Sequence, residues 1–205
     1  TTLFRSTSGT VEVFGQRPFD NAQVMDNTCL TGVDTAYPGW WSAADVIKGA
    51  RLRYRTWDQA IADNLIADFA LDAALSTRYE KLSRGQRAMV SIVIGLASGT
   101  ELLLLDEPYV GLDTHNTSVF YRHLLAQAGS GRTIVMATHH IDDAAKVLDS
   151  AVILGRDGVV VKQCVPEDAD RYAVAGPELV PIDDAPRHAR AAKFDDLIEH
   201  VLEVS

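Results

Sequence analysis

The chain has 205 residues, 47% of them hydrophobic and 23% charged, which suits one globular core with a small appendage. Its formal net charge of −9 argues against a nucleic-acid partner, because the basic residues between Lys48 and Arg87 are dispersed among acids and apolar residues. Cys29 and Cys164, the only cysteines, have neither CxxC nor Cys/His spacing, which argues against a disulfide framework and a zinc site.

In chain order, VEVFG (residues 11–15) alternates and then turns, so a short strand is expected there. A second strand is expected around NTCLTGVD (27–34), then a loop, TAYPGWWS, marked by Pro38 and Gly39. From residue 43 to about 75 the pattern is helical, with Trp57, Ile61, Leu65 and Phe69 on one face. SRGQRAMVSIVIGLA (83–97) predicts another helix, N-capped by Ser83 and ended by Gly99. ELLLLDEP has four leucines without alternation, which predicts a strand buried on both faces, as in a parallel sheet. A helix over about 114–128, a buried strand in TIVMATHH and a helix over 141–148 follow. AVILGRDGVVVKQC predicts a hairpin turning at residues 155–158, and the acid- and proline-rich tail ends in a short closing helix, KFDDLIEHVLEV. No apolar run approaches the ~20 residues that span a bilayer, and no signal peptide is visible, so a soluble cytoplasmic domain is expected.

Strands alternating with helices, and acids and histidines at the strands' C-terminal ends, describe an open α/β sheet that binds its ligand beyond those ends. In LLLLDEPYVGLD (102–113), Asp106 and Glu107 directly follow a buried strand. Adjacent side chains there point to opposite sides, so one acid can hold Mg²⁺ and the other can orient or deprotonate a water. KLSRGQR (81–87) places Ser83 and Gly85 at a helix start, where backbone N–H groups favour a phosphate. In MATHH, a histidine closing a strand can bond a phosphate oxygen or the attacking water.

LSRGQ, LLLLDEP, GLD and ATH, in that order and spacing, resemble the signature motif, Walker B strand, D-loop and switch-histidine loop of the nucleotide-binding subunits of ABC transporters. The looser features, YPGWW, WDQAIADNLI and FDDLIEHVL, are most similar to ATPase subunits of ABC-2-type exporters. The resemblance implies an α/β, P-loop NTPase-like ABC ATPase domain with a mostly parallel core sheet, an antiparallel β portion and a helical signature subdomain. It places the ATPase domain over residues 1–165, the helical subdomain over about 43–98 and a C-terminal extension over 166–205. It implies ATP and Mg²⁺ as cofactors, Asp106 on Mg²⁺, Glu107 as catalytic base and His139 at the γ-phosphate. Ser83, Gly85 and Gln86 would cap ATP held by a second ABC ATPase subunit, and Asp113 would couple the two sites. A separate transmembrane permease is the implied second partner, keeping the chain peripheral at the inner face of the membrane.

The opening TTLFR resembles the end of the family's phosphate loop, with Thr1 as a Mg²⁺ ligand and Thr2 near the α-phosphate. The Gly-rich cradle and its lysine are then expected before Thr1, and further helical residues near Arg5–Ser6, because six residues are few for a crossover. A true deletion of the cradle predicts poor ATP binding instead. Where the family carries a metal-sensing glutamine, Asp34 is the nearest candidate, and Arg84 replaces a common glycine, its side chain expected to point away from the nucleotide. Tyr37, Trp40 and Trp41 read equally as a permease-docking patch or as packing inside the helical subdomain. The alternative functions are an ABC-type ATPase acting on a soluble partner and a catalytically degenerate subunit.

Overall fold

A parallel sheet organises the first half of the chain: β1 (Thr28–Gly32), β2 (Leu102–Asp106) and β3 (Thr133–Ala137), in the order β1-β2-β3. The computed structural model describes residues 8–127 and 129–203. They fall into two units, one ending at Ala137 and one beginning at Thr138.

In the first unit the register aligns Gly32, Asp106 and Ala137 at the C-terminal edge of the sheet. Cys29, Thr31, Leu103 and Leu105 are buried and share one face. On the other face Leu30 and Val135 are 41% and 51% exposed, and Leu104 between them is half-buried. The expectation of a leucine strand buried on both faces is therefore corrected. The helix packed on the buried face is the α-helix Arg84–Ala97, which fills one side only.

Before it come α1 (Ala22–Asp26), α2 (Ala43–Arg53) and α3 (Gln59–Asp68), which makes Arg84–Ala97 α4. The helical pattern expected from 43 to about 75 is two helices and a 3₁₀ turn over Leu71–Ala74. Asp58 sets the break. Asp58 caps α3 by accepting from Ile61 N (3.0 Å), while its own N–H donates to Ala97 O (2.8 Å) at the far end of α4. Of the predicted stripe, Leu65 and Phe69 are buried, Ile61 is half-buried, and Trp57 lies in the loop before the helix.

α4 approaches the sheet closely because Gly95 has no side chain. A Cβ there would stand 2.8 Å from Thr31 Cγ2 and 3.2 Å from Leu103 Cδ1. Two buried bonds fix the contact: Ser91 Oγ donates to Gly32 O (2.8 Å), and Thr31 Oγ1 donates to Ser91 O (3.3 Å). The last carbonyls of a helix lack internal partners, and here each receives a donor. Arg132 donates to Gly95 O (3.1 Å) and Leu96 O (2.9 Å), Asp58 N to Ala97 O, and Thr56 Oγ1 to Ser98 O (2.7 Å). Gly99, at φ 63°, ends the helix, and a Cβ there would collide with Thr56 O.

VEVFG is not a strand. Phe14 and Gly15 both have positive φ, 55° and 70°, and Val13 and Gln16 exchange both backbone bonds, closing a two-residue turn. α5 spans Thr114–Leu125.

The second unit begins with α6 (Ile141–Ala144), shorter than the helix expected over 141–148. The predicted hairpin is present as β4 (Ala151–Leu154) and β5 (Val160–Cys164), its turn closed by Gly158 N to Gly155 O (2.9 Å). The tail is more ordered than its composition suggests. β6 (Tyr172–Ala175), β7 (Glu178–Pro181) and β8 (Arg190–Ala191) form an antiparallel sheet ordered β7-β6-β8. The closing helix α7 (Phe194–Glu203) buries Phe194, Leu197, Ile198 and Val201 against Ile153, Cys164 and Ala169.

Candidate functional site

Three chain segments converge at the C-terminal edge of the parallel sheet. Asp106 is the last residue of β2 and is exposed, on the face opposite α4. Its backbone lies so close to β1 that a Cβ on Gly32 would stand 2.7 Å from Asp106 O, which makes glycine the fitting residue there. Glu107 follows at φ 43°, a left-handed conformation that costs a glutamate about 1–3 kcal/mol. Its N–H is held by Ala137 O (3.0 Å), beyond the end of the regular β2 ladder. The turn that follows closes through Val110 N to Glu107 O (3.3 Å) and Leu112 N to Tyr109 O (3.0 Å), over the buried ring of Tyr109.

Asp34 is exposed just past β1. The loop that carries it is fixed at its base, because Gly32 N donates to Thr35 Oγ1 (3.0 Å) and Thr35 N donates to Gly32 O (3.0 Å). Gly32 O also receives the Ser91 hydroxyl, so this loop and α4 share one anchor.

The start of α4 is built by a capping box. Ser83 Oγ accepts from Gln86 N (3.1 Å), and Gln86 Oε1 accepts from Ser83 N (2.9 Å). Ser83 and Gln86 thus order the helix N-terminus. Gly85 touches the loop after β2: a Cβ there would stand 2.6 Å from Gly111 O. Gly111, at φ 90°, would in turn place a Cβ 3.2 Å from Gly85 N and 3.3 Å from Arg84 Cγ. The stem of Arg84 therefore runs along Gly111. Two residues on, Asp113 caps α5 by accepting from Asn116 N (2.8 Å).

The sequence thus pointed to residues that the fold brings together in the first unit: Asp34 and Asp106 at adjacent strand ends, and Gly85 against the loop that ends in Asp113. His139 lies in the second unit, its ring 4.0 Å from that of His140 between centroids. Thr1 and Thr2 lie outside the described residues. Sequence reasoning missed Thr31, Thr35, Ser91 and Arg132. A serine in the middle of the apolar VSIVIG run was the available signal, since a buried hydroxyl requires a partner.

Among the described residues, no group of three or more His, Cys, Asp or Glu could by itself hold a metal ion. Asp106, one exposed carboxylate at a strand end, fits a different donor set, in which phosphate oxygens and water complete the shell, as suits Mg²⁺.

The sequence profile described as ABC transporter matches residues 2–110, more than half of the chain. The chain belongs to the ABC transporter family. The L-cystine import ATP-binding protein TcyN of Bacillus subtilis is 32% identical over 113 residues, covering 55% of this ABC chain and 43% of the relative. The macrolide export ATP-binding/permease protein MacB of Psychrobacter cryohalolentis is 31% identical over 142 residues, 69% of this chain and 20% of the relative. The chain spans less than half the length of either curated relative. A solved dimeric ATP-binding cassette in a post-hydrolysis state, bound to ADP and Pi, aligns with a TM-score of 0.65 at 21% identity, over 80% of this chain and 76% of that one. That likeness establishes the ABC ATPase fold.

Proposed function

We propose that this ABC chain is the ATP-binding and hydrolysing part of a membrane transporter. The observation that carries the reading is the backbone contact between Gly85 and Gly111, which joins the N-terminus of α4 to the loop leaving the Asp106–Glu107 strand end. A helix N-terminus suited to phosphate and a carboxylate pair suited to metal and water are thereby one rigid surface.

Asp106 would hold Mg²⁺ together with phosphate oxygens, Thr1 and water, with Asp34 holding a metal-bound water and Thr2 near the α-phosphate. Bound Mg²⁺ supplies charge neutralisation at the phosphates. Glu107 takes a proton from the attacking water, and its left-handed backbone aims the carboxylate away from the regular strand direction. His139 contacts the γ-phosphate. Ser83, Gly85 and Gln86 face ATP held by a second subunit, and Asp113 couples the paired sites; that the solved cassette with ADP and Pi is dimeric supports the pairing of two subunits.

A separate transmembrane permease is the further partner in this reading, supported by the ABC-2-like segments of the sequence. Relatives named for import and for export both occur, and we assign export on the ABC-2-like YPGWW and FDDLIEHVL segments. Trp40, 75% exposed, and Leu52, 80% exposed, are left for the permease, whereas Tyr37 stacks edge-on to Tyr79 (5.1 Å) and Trp41 packs over Gly49. The chain would then sit peripherally at the inner face of the membrane, with the ATPase domain over 1–165 and an extension over 166–205.

Glu107→Gln tests the assignment in the whole protein. It is expected to lower ATP turnover by at least 100-fold while ATP alone drives the protein into a stable dimer in gel filtration. Unchanged turnover would reject Glu107 as the base.

A further inference from the structure

The second unit holds a cavity of about 670 Å³, within the size range of small-molecule sites. Val159 of the hairpin turn, Val161 on β5, the ring of Tyr172 on β6, and Leu197 and Val201 on α7 give it apolar walls. Its cations are Arg156 and Lys162, which line it beside His200 and one carboxylate, Asp157, engaged in accepting from Val159 N (3.0 Å).

That balance runs against the composition around it. Over residues 138–205, Asp and Glu outnumber Lys and Arg by fourteen to seven. Lys146, Arg171 and Arg190 are each paired with an aspartate. Among the described residues Arg156 and Lys162, like Arg187 and Lys193, have no carboxylate partner; only the first two line the cavity, and the ammonium of the half-buried Lys162 sits 6.0 Å over the Tyr172 ring. Two cations without counter-ions beside apolar side chains favour a negative charge on a partly apolar body.

We propose that this cavity binds an amphipathic organic anion, a carboxylate or phosphate carried on an acyl chain, with the anion at Lys162 and Arg156 and the chain against Val161, Val201 and the Tyr172 ring. The site lies within the second unit and closes onto α7. The ligand therefore ties the closing helix to the β4–β5 hairpin. The same chemistry can come from a free acyl anion or from an anionic lipid.

Titration of the whole chain with decanoate, below its micelle concentration, tests the site. Binding in the range of about 10–100 μM is expected, with methyl NMR shifts at Val161 and Val201. Decyltrimethylammonium, of equal chain length and opposite charge, should bind at least 10-fold more weakly. Lys162→Met, which keeps the apolar stem, should weaken decanoate at least 10-fold while leaving the circular dichroism spectrum unchanged, and Arg156→Gln on the exposed turn should weaken it less. Equal affinity for the two amphiphiles, undiminished binding in Lys162→Met, or no methyl shift in the unmodified chain would each overturn the proposal. Phosphatidylglycerol vesicles separate the sources. Vesicle binding that requires Lys162 and is displaced by decanoate assigns the anion to a lipid; decanoate binding without vesicle binding assigns it to a free acyl anion.

Discussion

α4 and α7 are both amphipathic helices secured by an arginine, and they use it in opposite ways. At the C-terminus of α4, Arg132 bonds no carboxylate among the described residues. It donates to Thr100 O (2.7 Å), Leu96 O, Gly95 O, Ser98 Oγ (3.1 Å) and Gln127 Oε1 (3.1 Å). Burial pushes its guanidinium pKa down, and the negative end of the helix dipole favours its charge. At the N-terminus of α7, Arg190 forms a two-bonded pair with Asp196 (2.7 and 2.6 Å) at the surface. Where solvent is scarce the cation satisfies backbone; where solvent is plentiful it meets another side chain. The first arrangement fixes a position, and the second adds little stability.

The largest effect expected from this contrast is at Arg132. Arg132→Ala leaves the carbonyls of Gly95 and Leu96 without their guanidinium donors, and Thr100 O loses the same partner. A loss of about 4 kcal/mol is expected from urea unfolding of the whole chain, accompanied by faster hydrogen exchange in α4. Arg132→Lys should recover less than half of it, since one ammonium cannot span the same carbonyls. Full recovery with lysine would mean that charge, and not the planar fork, secures the helix.

α7 depends on apolar contact instead. Leu197 is fully buried in the core of the second unit, so Leu197→Ala should cost about 3 kcal/mol by lost burial and residual cavity. Hydrogen exchange in α7 is the direct readout. A loss below 1 kcal/mol would show that the neighbouring cavity lets the unit collapse around the gap.

The same contrast accounts for what could be read from the sequence. The order of β1 to β5 among α4, α5, α6 and α7, the cap at Ser83, the end of α4 at Gly99 and the turn at residues 155–158 rest on local chemistry and are visible in one pass along the chain, whereas α1 and the β7-β6-β8 sheet are not. VEVFG misleads because Phe14 takes a left-handed conformation that no side-chain pattern marks. The break between α2 and α3 is set by Asp58 meeting Ala97, a contact 39 positions away. LLLLDEP resembles a strand buried on both sides, but burial depends on what covers each face, and composition does not encode that. At the candidate site the motif residues were legible, because their chemistry is unusual at those positions. The hydroxyls that anchor them were not, because Thr31, Thr35 and Ser91 become informative only when strand and helix meet.

The smallest expected effect concerns the surface pair. The bonds from Arg190 hold Asp196 below the ordinary carboxylate pKa, opposed by partial burial and assisted by the Lys193 N–H (2.7 Å). A carboxylate whose folded pKa is depressed stabilises the fold fully above its unfolded value, near 4, and loses that contribution as pH falls through the folded value. Asp196→Asn keeps an acceptor for Lys193 N and removes the charge. At pH 7 the variant should be less stable by no more than about 1 kcal/mol, because Arg190 is largely exposed. Between pH 5 and pH 2.5 the two urea midpoints should converge, since protonation removes the same charge from the parent chain. A difference that stays constant over that range would place the effect in the helix cap, and α7 would then resemble α4 in resting on its backbone partners.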